Sequence, residues 1–209
     1  MDLEKYKREL RDEARRRGVQ SLLHFTPFQN ASSILEHGLL SRQDLEDDFA
    51  DGCGTDDRRL DGYPECICLS IEDINHSMFR AKRRDYRHWV VLAVDASVIW
   101  ENDCRFCWRS AASGEIIRTT SFIGGPWAFR RMFEDYETAR SRPNTEREKY
   151  QIPDNLPTDP GAEVQVYGRI NREKITAFGV ASSHLRTRLE AEIQKVGLDL
   201  PVEVVDWIA

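Results

Sequence analysis

The amino-acid sequence predicts an α+β fold, in which short strands are scattered among helices and long loops. Short apolar runs of β-type composition stand apart along the chain, helical spacing fills several intervals between them, and no internal repeat is present. A doubly wound parallel sheet would instead alternate strands and helices regularly. With 209 residues, 40% of them hydrophobic and 32% charged, the chain can bury a sizeable core and is not mainly disordered. We therefore expect residues 1–209 to form one domain.

The first predicted element is a surface helix within residues 1–18. Leu3, Tyr6 and Leu10 recur at helical spacing, charged residues fill most other positions, and Gly18 follows the last periodic residue. A glycine at that position is typical of a helix C-terminus, because it tolerates the left-handed conformation that closes the last turn.

A strand and a second helix follow within a short stretch. Residues 21–26 have the composition of a strand, and Asn30 can cap a helix whose apolar face contains Ile34 and Leu35 and which ends at Gly38. Residues 41–65 are rich in Gly and Asp and predict a long loop, a kind of segment that is often functional. The later predicted elements are strands at 66–71, 89–94, 162–170 and 177–180, helices at 127–140 and 184–196, a proline-rich loop or lid at 141–161, and an apolar tail at 202–208.

The charge distribution excludes a globally basic protein but leaves room for a local phosphate-binding surface. The formal net charge is −6, yet 24 of the 30 basic residues are Arg, whose planar guanidinium grips phosphates bidentately. A GC-rich genome would produce the same Arg excess. Residues 40–75 contain 3 basic and 11 acidic residues, whereas residues 76–149 contain 14 and 10. One face can therefore suit nucleic acid although the whole chain is acidic.

Neither a membrane segment nor a metal site is predicted. No apolar run approaches the roughly 20 residues that a bilayer-spanning helix needs, and the charged N-terminus favours a cytoplasmic protein, which we expect to be a monomer. Cys104 and Cys107 have the C-x-x-C spacing of a zinc or redox motif. A closed zinc site needs four convergent ligands, however, and Cys66 and Cys68 alternate within a strand rather than forming a second tight pair. We expect no metal and reduced thiols.

The segment 158–167 is the most informative candidate site. A Pro-Gly turn leads into a strand whose period of two places Glu163, Gln165 and Tyr167 on one face. One carboxylate thus stands at the beginning of a strand beside an amide. The same pattern is typical of an ordinary solvated strand face, and the sequence alone leaves both interpretations open.

Other polar residues have equally open interpretations. His24 and Thr26 share a face of the first strand and can hold a polar ligand group, or His24 can be a core histidine bound to backbone. Arg58 and Arg59 either pair with neighbouring Asp residues or bind an anion. The basic run 80–87 either binds phosphates or forms an exposed helix face. Walker, dinucleotide-binding, nucleophile-elbow and H-E-x-x-H motifs are absent from the sequence.

Three motifs in this order resemble the DarT family of DNA ADP-ribosyltransferase toxins. They are H-F-T-x-x-x-N at 24–30, I-L-x-x-G-L at 34–39 and A-E-V-x-V at 162–166, and the resemblance spans about residues 21–181. It implies a fold similar to poly-ADP-ribose polymerases, with a central split antiparallel or mixed sheet and flanking helices. It further implies NAD as co-substrate, a base in single-stranded DNA as acceptor, and a macrodomain antitoxin that removes the modification in a toxin–antitoxin or phage-defence system.

The resemblance also implies roles for individual residues. Glu163 matches the catalytic glutamate, and Arg59 is preferred over Arg58 and Arg42 as the arginine that the family uses in the loop before the second strand. The NAD-binding residues that it implies are His24, Phe25, Thr26, Asn30, Gly38 and Leu39. With DNA as the acceptor, candidates for backbone and stacking contacts are Arg80, Arg83, Arg84 and Tyr86.

Departures from the family pattern bear on the target base. Thymidine-modifying members carry an aromatic-rich strand before an N-P-x-x-P-M-like turn, but here that strand is Cys66-Ile67-Cys68-Leu69-Ser70. The chain is more similar to a divergent branch, for which guanine is the expected target. Two alternatives remain: the same transferase acting on RNA or protein, or a catalytically silent module that binds nucleotides or nucleic acid.

Overall fold

A computed structural model describes residues 3–48, 60–119, 121–135 and 146–208, and it has the expected α+β architecture. The described part contains seven strands: β1 (Ser21–Pro27), β2 (Cys66–Ile71), β3 (Trp89–Asp95), β4 (Cys104–Cys107), β5 (Glu163–Tyr167), β6 (Ile175–Val180) and β7 (Val202–Val204). It also contains nine α-helices: α1 (Leu3–Arg17), α2 (Ala31–His37), α3 (Arg42–Asp48), α4 (His76–Lys82), α5 (Val98–Glu101), α6 (Gly114–Ile117), α7 (Pro126–Arg131), α8 (Glu146–Tyr150) and α9 (Ser183–Lys195).

The strands form one mixed sheet that is almost divided in two. Their order is β4-β5-β2-β1-β3-β6-β7, and neighbours are antiparallel except for the parallel pair β6 and β7. β1 pairs with β3 over its whole length but with β2 at only two positions, Leu22 opposite Ile71 and Leu23 opposite Ser70. A half-sheet β4-β5-β2 therefore meets a half-sheet β1-β3-β6-β7 at one short junction, which confirms the predicted split mixed sheet.

Both faces of the sheet are covered. On one face Leu22, Leu92 and Val94 belong to the main hydrophobic core, to which α1 contributes Leu10 and Ala14. On the other face a smaller cluster forms under α4 from Ile74, Phe79, Trp89 and Val91. Successive side chains of β3 point to opposite faces of the sheet. Because both faces are covered, both sets of side chains are apolar.

Most predicted elements are confirmed with small changes at their ends. Gly18 closes α1 with a φ of 75°, as the sequence predicted. The predicted strands at 66–71, 89–94 and 177–180 correspond to β2, β3 and β6, and the helix at 184–196 corresponds to α9. The strand expected at 162–170 is shorter, since β5 ends at Tyr167. The apolar tail adds the edge strand β7 and a turn of 3₁₀ helix at Asp206–Ile208.

The prediction of a loop over residues 41–65 is wrong at its beginning, where α3 occupies Arg42–Asp48. The helix starts from a capping arrangement that the sequence contains: Ser41 Oγ accepts from the backbone N–H of Asp44 at 3.1 Å, and the Asp44 carboxylate accepts from the Ser41 N–H at 3.1 Å. Each side chain satisfies one otherwise unpaired backbone donor, which stabilises the first turn. Residues 49–59, including Cys53, lie outside the described residues.

The helix predicted over 127–140 is also shorter in the described structure. α7 spans Pro126–Arg131, and the carbonyl oxygen of Met132 accepts a hydrogen bond from the N–H of Thr158 at 2.9 Å. That carbonyl oxygen is held by a distant loop, which the local sequence does not predict. Residues 136–145 lie outside the described residues.

The proline-rich loop predicted at 141–161 contains a short helix, α8, and Arg147 ties it down. Arg147 Nη1 donates to the carbonyl oxygen of Leu156 and to Thr158 Oγ1, both at 3.0 Å, and Nη2 donates to the carbonyl oxygen of Pro153 at 2.7 Å. Burial lowers the pKa of this guanidinium from its ordinary value, and the neighbouring charge of Arg17 acts in the same direction. One side chain therefore ties the two ends of the described part of this segment together. Among the described helices, none combines the length and hydropathy needed to cross a bilayer.

Candidate active site

His24 spans the gap where the two half-sheets part. It follows Leu23, the last residue of β1 that pairs with β2, and its Nδ1 lies 3.0 Å from the carbonyl oxygen of Cys68. Because a carbonyl oxygen can only accept, the proton in this contact is on Nδ1, which leaves Nε2 as an acceptor in the neutral form of the ring. The backbone contact that the sequence left open is thus present, although the ring is only partly buried.

Thr26 and Asn30 form a polar pair next to His24. Thr26 is 4% exposed, and its Oγ1 accepts a hydrogen bond from Asn30 Nδ2 at 2.8 Å. Asn30 occupies the N-cap position of α2, as predicted, but its side chain makes no capping bond to that helix. The amide satisfies the buried hydroxyl instead and fixes its orientation. The strand period places His24 and Thr26 on the same face, as predicted.

The side chain of Phe25 points away from His24 and Thr26. Its ring packs edge-on against Phe79 at a centroid distance of 5.3 Å and against Trp89 at 5.9 Å, within the cluster under α4. A ligand on the His24 side would therefore meet only the backbone of Phe25.

Gly38 and Leu39 form a close backbone junction with Ile170. Gly38 has a φ of 80°, and the N–H groups of Leu39 and Ile170 each donate to the other's carbonyl oxygen at 2.9 Å. A Cβ on Gly38 would lie 2.2 Å from the carbonyl oxygen of Ile170, so only glycine fits. The Leu39 side chain is 3% exposed and belongs to the main core.

Glu163 is buried at the beginning of β5. It is 6% exposed, and its Oε2 accepts a hydrogen bond from the backbone N–H of Ala111 at 2.9 Å. The interpretation of this segment as a solvated strand face is therefore wrong. β5 is paired on both sides, by β2 and β4, so even its polar face lies inside the protein. The amide of Ala111 holds the carboxylate in one orientation.

Gln165 lies two residues further along the same face and is fully buried. Its Oε1 accepts from Arg105 Nη1 at 2.6 Å, and its Nε2 donates to the Asp61 carboxylate. The Arg105 guanidinium lies 3.4 Å from the centre of the Tyr63 ring, a cation–π contact. Sequence reasoning missed Arg105, because only the non-local pairing of β4 with β5 places it opposite Gln165. The only feature of the sequence that could have indicated Arg105 is its position as a basic residue between two apolar residues, Cys104 and Phe106.

Burial keeps the thiols beside this cluster protonated. Cys107 lies opposite Glu163, and burial raises the pKa of its thiol to about 12, although Arg105 opposes the rise. Burial likewise raises the pKa of the Cys104 thiol well above its usual range. Both residues belong to β4, where a separation of three directs them to opposite faces, so they do not converge as a C-x-x-C knuckle. Within the described ranges, no group of three or more His, Cys, Asp or Glu side chains could hold a metal ion.

A cavity of about 670 Å³ opens at the beginning of β5, and neither Glu163 nor the predicted NAD-binding residues are among the residues that line it. It is lined by Ala162, which precedes the glutamate, and by Arg109, which lies two residues before Ala111. This volume is within the range of nucleotide and other small-ligand sites. Further lining residues are Ser70, Ile71, Asp73, Ile74, His76, Glu146, Tyr150, Ile152, Leu156, Pro157, Thr158, Asp159 and Pro160.

The predicted nucleic-acid residues lie around the C-terminal end of α4. Arg80 is on the helix, whereas Arg83 and Arg84 follow its end, and all three are exposed. The basic run is thus only partly a helix face. Tyr86 is partly buried, and its ring packs edge-on against Trp89 at 5.6 Å. Arg58 and Arg59 lie outside the described residues.

Comparison with known proteins identifies a family that matches most of this chain. A family model described as ssDNA thymidine ADP-ribosyltransferase, DarT, matches residues 23–208. Among curated proteins no significant match is found. The solved structure of Thermus sp. 2.9 DarT in complex with NAD+ is similar at a TM-score of 0.61 and 14% identity, covering 92% of this chain and 98% of that one.

Two further structures are similar to this chain. Thermus sp. 2.9 DarT in complex with ADP-ribosylated ssDNA has a TM-score of 0.58 at 12% identity, covering 90% of this chain and 96% of that one. Thermosipho africanus DarTG in complex with ADP-ribose has a TM-score of 0.54 at 16% identity and covers 90% of this chain. The match covers 50% of the Thermosipho africanus chain, so this chain spans about half of its length.

The family match contains the elements that build the candidate site. Residues 23–208 include the strand with His24 and Thr26, the junction at Gly38 and the strand with Glu163. The solved structures, at 12–16% identity, support the same fold. The chain therefore belongs to the DarT family of single-stranded-DNA ADP-ribosyltransferases.

Proposed function

We propose that this chain transfers ADP-ribose from NAD to a base of single-stranded DNA, with Glu163 as the catalytic carboxylate. The observation that carries the proposal is the position of that carboxylate. It is nearly buried and oriented by the amide of Ala111, and the residue before it, Ala162, lines a cavity of about 670 Å³. Nearly buried carboxylates are uncommon in folded proteins, and a carboxylate in such a position is a candidate for a chemical role.

NAD supplies the ADP-ribose group: its ribose–nicotinamide bond breaks with both electrons leaving on nicotinamide, and a base nitrogen forms the new bond to the same carbon. Glu163 offsets the positive charge that develops on the ribose during this exchange. The same carboxylate accepts the proton that the attacking nitrogen loses, a general-base role. Its fixed orientation means that little reorganisation is needed when the charge develops.

The polar residues where β1 separates from β2 are candidates for binding NAD. Thr26 and Asn30 form a buried polar pair, and His24 presents an acceptor in its neutral form. Gly38 permits the close approach of the Ile170 carbonyl oxygen, which fixes the segment that follows α2 against the chain after β5. We assign NAD binding to His24, Phe25, Thr26, Asn30, Gly38 and Leu39, with Phe25 contributing through its backbone. Arg59 is assigned to the diphosphate or the incoming nucleotide on the resemblance to the family.

Guanine is the target base that we propose. The β2 strand reads Cys66-Ile67-Cys68-Leu69-Ser70 and lacks the aromatic side chains of the thymidine-modifying pattern. The family model is described by its thymidine-modifying activity, so thymine is the competing candidate.

The biological role that we propose is that of a toxin in a toxin–antitoxin or phage-defence system. A DarTG protein is among the structures with a similar fold, which favours a DarG-like macrodomain as the partner that reverses the modification. We further propose that residues 1–209 act as a single transferase domain, as a monomer in the cytoplasm. Production of the chain alone should then inhibit growth, and co-production of a macrodomain partner should restore it.

Mass spectrometry on defined oligonucleotides tests the acceptor. The protein is incubated with NAD and single-stranded DNAs that each contain only one type of reactive base, alongside matched RNA and duplex DNA. We expect an ADP-ribose adduct on guanine in single-stranded DNA and little on the duplex, because a stacked and paired base edge cannot reach the ribose carbon. An adduct on thymine alone would refute the guanine proposal and retain the enzyme. Modification of RNA alone would change the acceptor, and no modification despite NAD binding would overturn the proposed function.

A further inference from the structure

Two large aromatic side chains near the active site are exposed. Phe122 is 66% exposed and Trp127 is 41% exposed. They are held together, since Trp127 Nε1 donates a hydrogen bond to the carbonyl oxygen of Phe122 at 3.1 Å. Arg130 and Arg131 lie three and four residues after Trp127 on α7 and therefore share its face. We name Phe122, Trp127, Arg130 and Arg131 the aromatic platform.

The aromatic platform is fixed by the structure beneath it. The Trp127 ring rests on the buried Trp108 at a centroid distance of 5.9 Å. Two glycines leave room for the rings, since a Cβ on Gly124 would lie 2.5 Å from Phe122 Cζ and one on Gly125 would lie 3.2 Å from Trp127 Cδ1. The rings are thus exposed in defined positions, which distinguishes the platform from a lone surface hydrophobe.

The aromatic platform is also basic. Arg131 places its guanidinium 4.3 Å from the centre of the Trp108 ring and 3.8 Å from the Glu115 carboxylate. Arg130 is exposed, and among the described residues it takes part in no ion pair. Exposed rings next to guanidinium groups match the two recurring parts of a single-strand binding surface, which are π-faces for the bases and positive charge for the phosphates.

A chain of contacts connects the aromatic platform to the active site. Glu115 accepts from Trp108 Nε1 at 2.7 Å and pairs with Arg109 at 2.9 Å. Arg109 lies 3.7 Å from Asp159, both residues line the cavity at the beginning of β5, and Ala111, whose amide holds Glu163, follows Arg109 by two residues. A strand whose target base enters that cavity could therefore lay its neighbouring nucleotides on the platform.

We propose that the aromatic platform binds single-stranded DNA next to the target base, with Phe122 and Trp127 stacking on flanking bases and Arg130 contacting a phosphate. The inference rests on the proposed function, because it needs DNA as the acceptor. It also shifts the expected stacking contact away from Tyr86, whose ring is engaged with Trp89.

Binding of a labelled single-stranded oligonucleotide, measured by fluorescence anisotropy without NAD, tests the inference. We expect Trp127→Ala to weaken binding by about ten-fold, within the range for loss of one base–aromatic stack. Trp127→Phe keeps a ring and should retain most of the affinity. Arg130→Gln should reduce the slope of log affinity against log salt by about 0.7, the value for one phosphate contact on a single strand.

Trp207→Ala is the matched control. Trp207 has nearly the same exposure, 40%, but contacts His76 and Phe79 on the α4 side, where Arg83 and Arg84 also lie. We expect this variant to bind DNA like the unaltered protein. A loss of binding in Trp207→Ala, with Trp127→Ala unaffected, would overturn the inference and place the DNA on the α4 face.

Folding and the proposed function are checked separately. Circular dichroism and the melting temperature establish that each variant folds, and Phe122→Ala, which removes a largely exposed ring, replaces Trp127→Ala if the latter does not. If the unaltered protein modifies single-stranded DNA but Phe122→Ala and Trp127→Ala bind it equally well, the platform is refuted and the function stands. If no DNA is modified, the function fails, whereas the anisotropy comparison still decides whether the platform binds DNA.

Discussion

Replacing Glu163 by glutamine should lower the rate of ADP-ribose transfer by about 10²–10⁴-fold, the usual contribution of a general base. The affinity for NAD should change little, because the negative charge is needed chiefly when positive charge develops on the ribose. Glutamine has nearly the same shape and can still accept the hydrogen bond from the Ala111 amide, so the buried site should remain intact. Initial transfer rates at saturating NAD, together with NAD binding by calorimetry, measure the two effects.

Glutamine is the informative substitution at this position. Alanine would leave the Ala111 N–H without its acceptor and would open a void where the Glu163 side chain lies, because that residue is only 6% exposed. A loss of activity in Glu163→Ala could then reflect a loss of structure. Glu101→Gln serves as the control, because it removes a carboxylate that pairs with Lys174 at the surface. If Glu163→Gln retains a transfer rate close to that of the control, the carboxylate is not catalytic. If it loses NAD binding to the same extent as turnover, its role lies in binding the substrate.

The local sequence was sufficient to predict the structural features that depend only on neighbouring residues. Gly18 and Gly38 were identified as helix ends because the requirement for a positive φ is a property of one residue. The capping arrangement of Ser41 and Asp44 is equally local, and α3 could have been predicted from it. The motifs around His24 and Glu163 could also be recognised from the sequence, since each is a short run of neighbouring residues in or next to one strand.

Non-local pairing determined what could not be predicted. Glu163 was singled out, but its burial depends on β5 lying between β2 and β4, which no local pattern specifies. The same pairing brings Arg105 to Gln165 across 60 residues of sequence. For Glu163 and Arg105, partners that are distant in the sequence decided among options that the sequence left equal.

Gly38→Ala should destabilise the protein by roughly 3–5 kcal/mol, combining backbone strain with a steric overlap that the packed core cannot relieve. Gly38 has φ 80° and ψ −169°, a conformation that is essentially restricted to glycine. The new Cβ would lie 2.2 Å from the carbonyl oxygen of Ile170, which also accepts the N–H of Leu39. The methyl group can be accommodated only if the junction between Leu39 and Ile170 opens. Urea unfolding followed by circular dichroism gives the free energy of unfolding.

Gly18→Ala is the matched control for this loss. Gly18 has nearly the same φ, 75°, but a Cβ there meets no atom within 4 Å. Its replacement should therefore cost only the strain of a left-handed residue, about 1–2 kcal/mol. The excess loss in Gly38→Ala measures the contact with Ile170 together with the additional strain of the ψ of −169°, and equal losses in the two variants would show that the junction relaxes without cost. Because Ile170 follows β5 closely, a large excess would mean that Gly38 helps to hold the strand that carries Glu163 against α2.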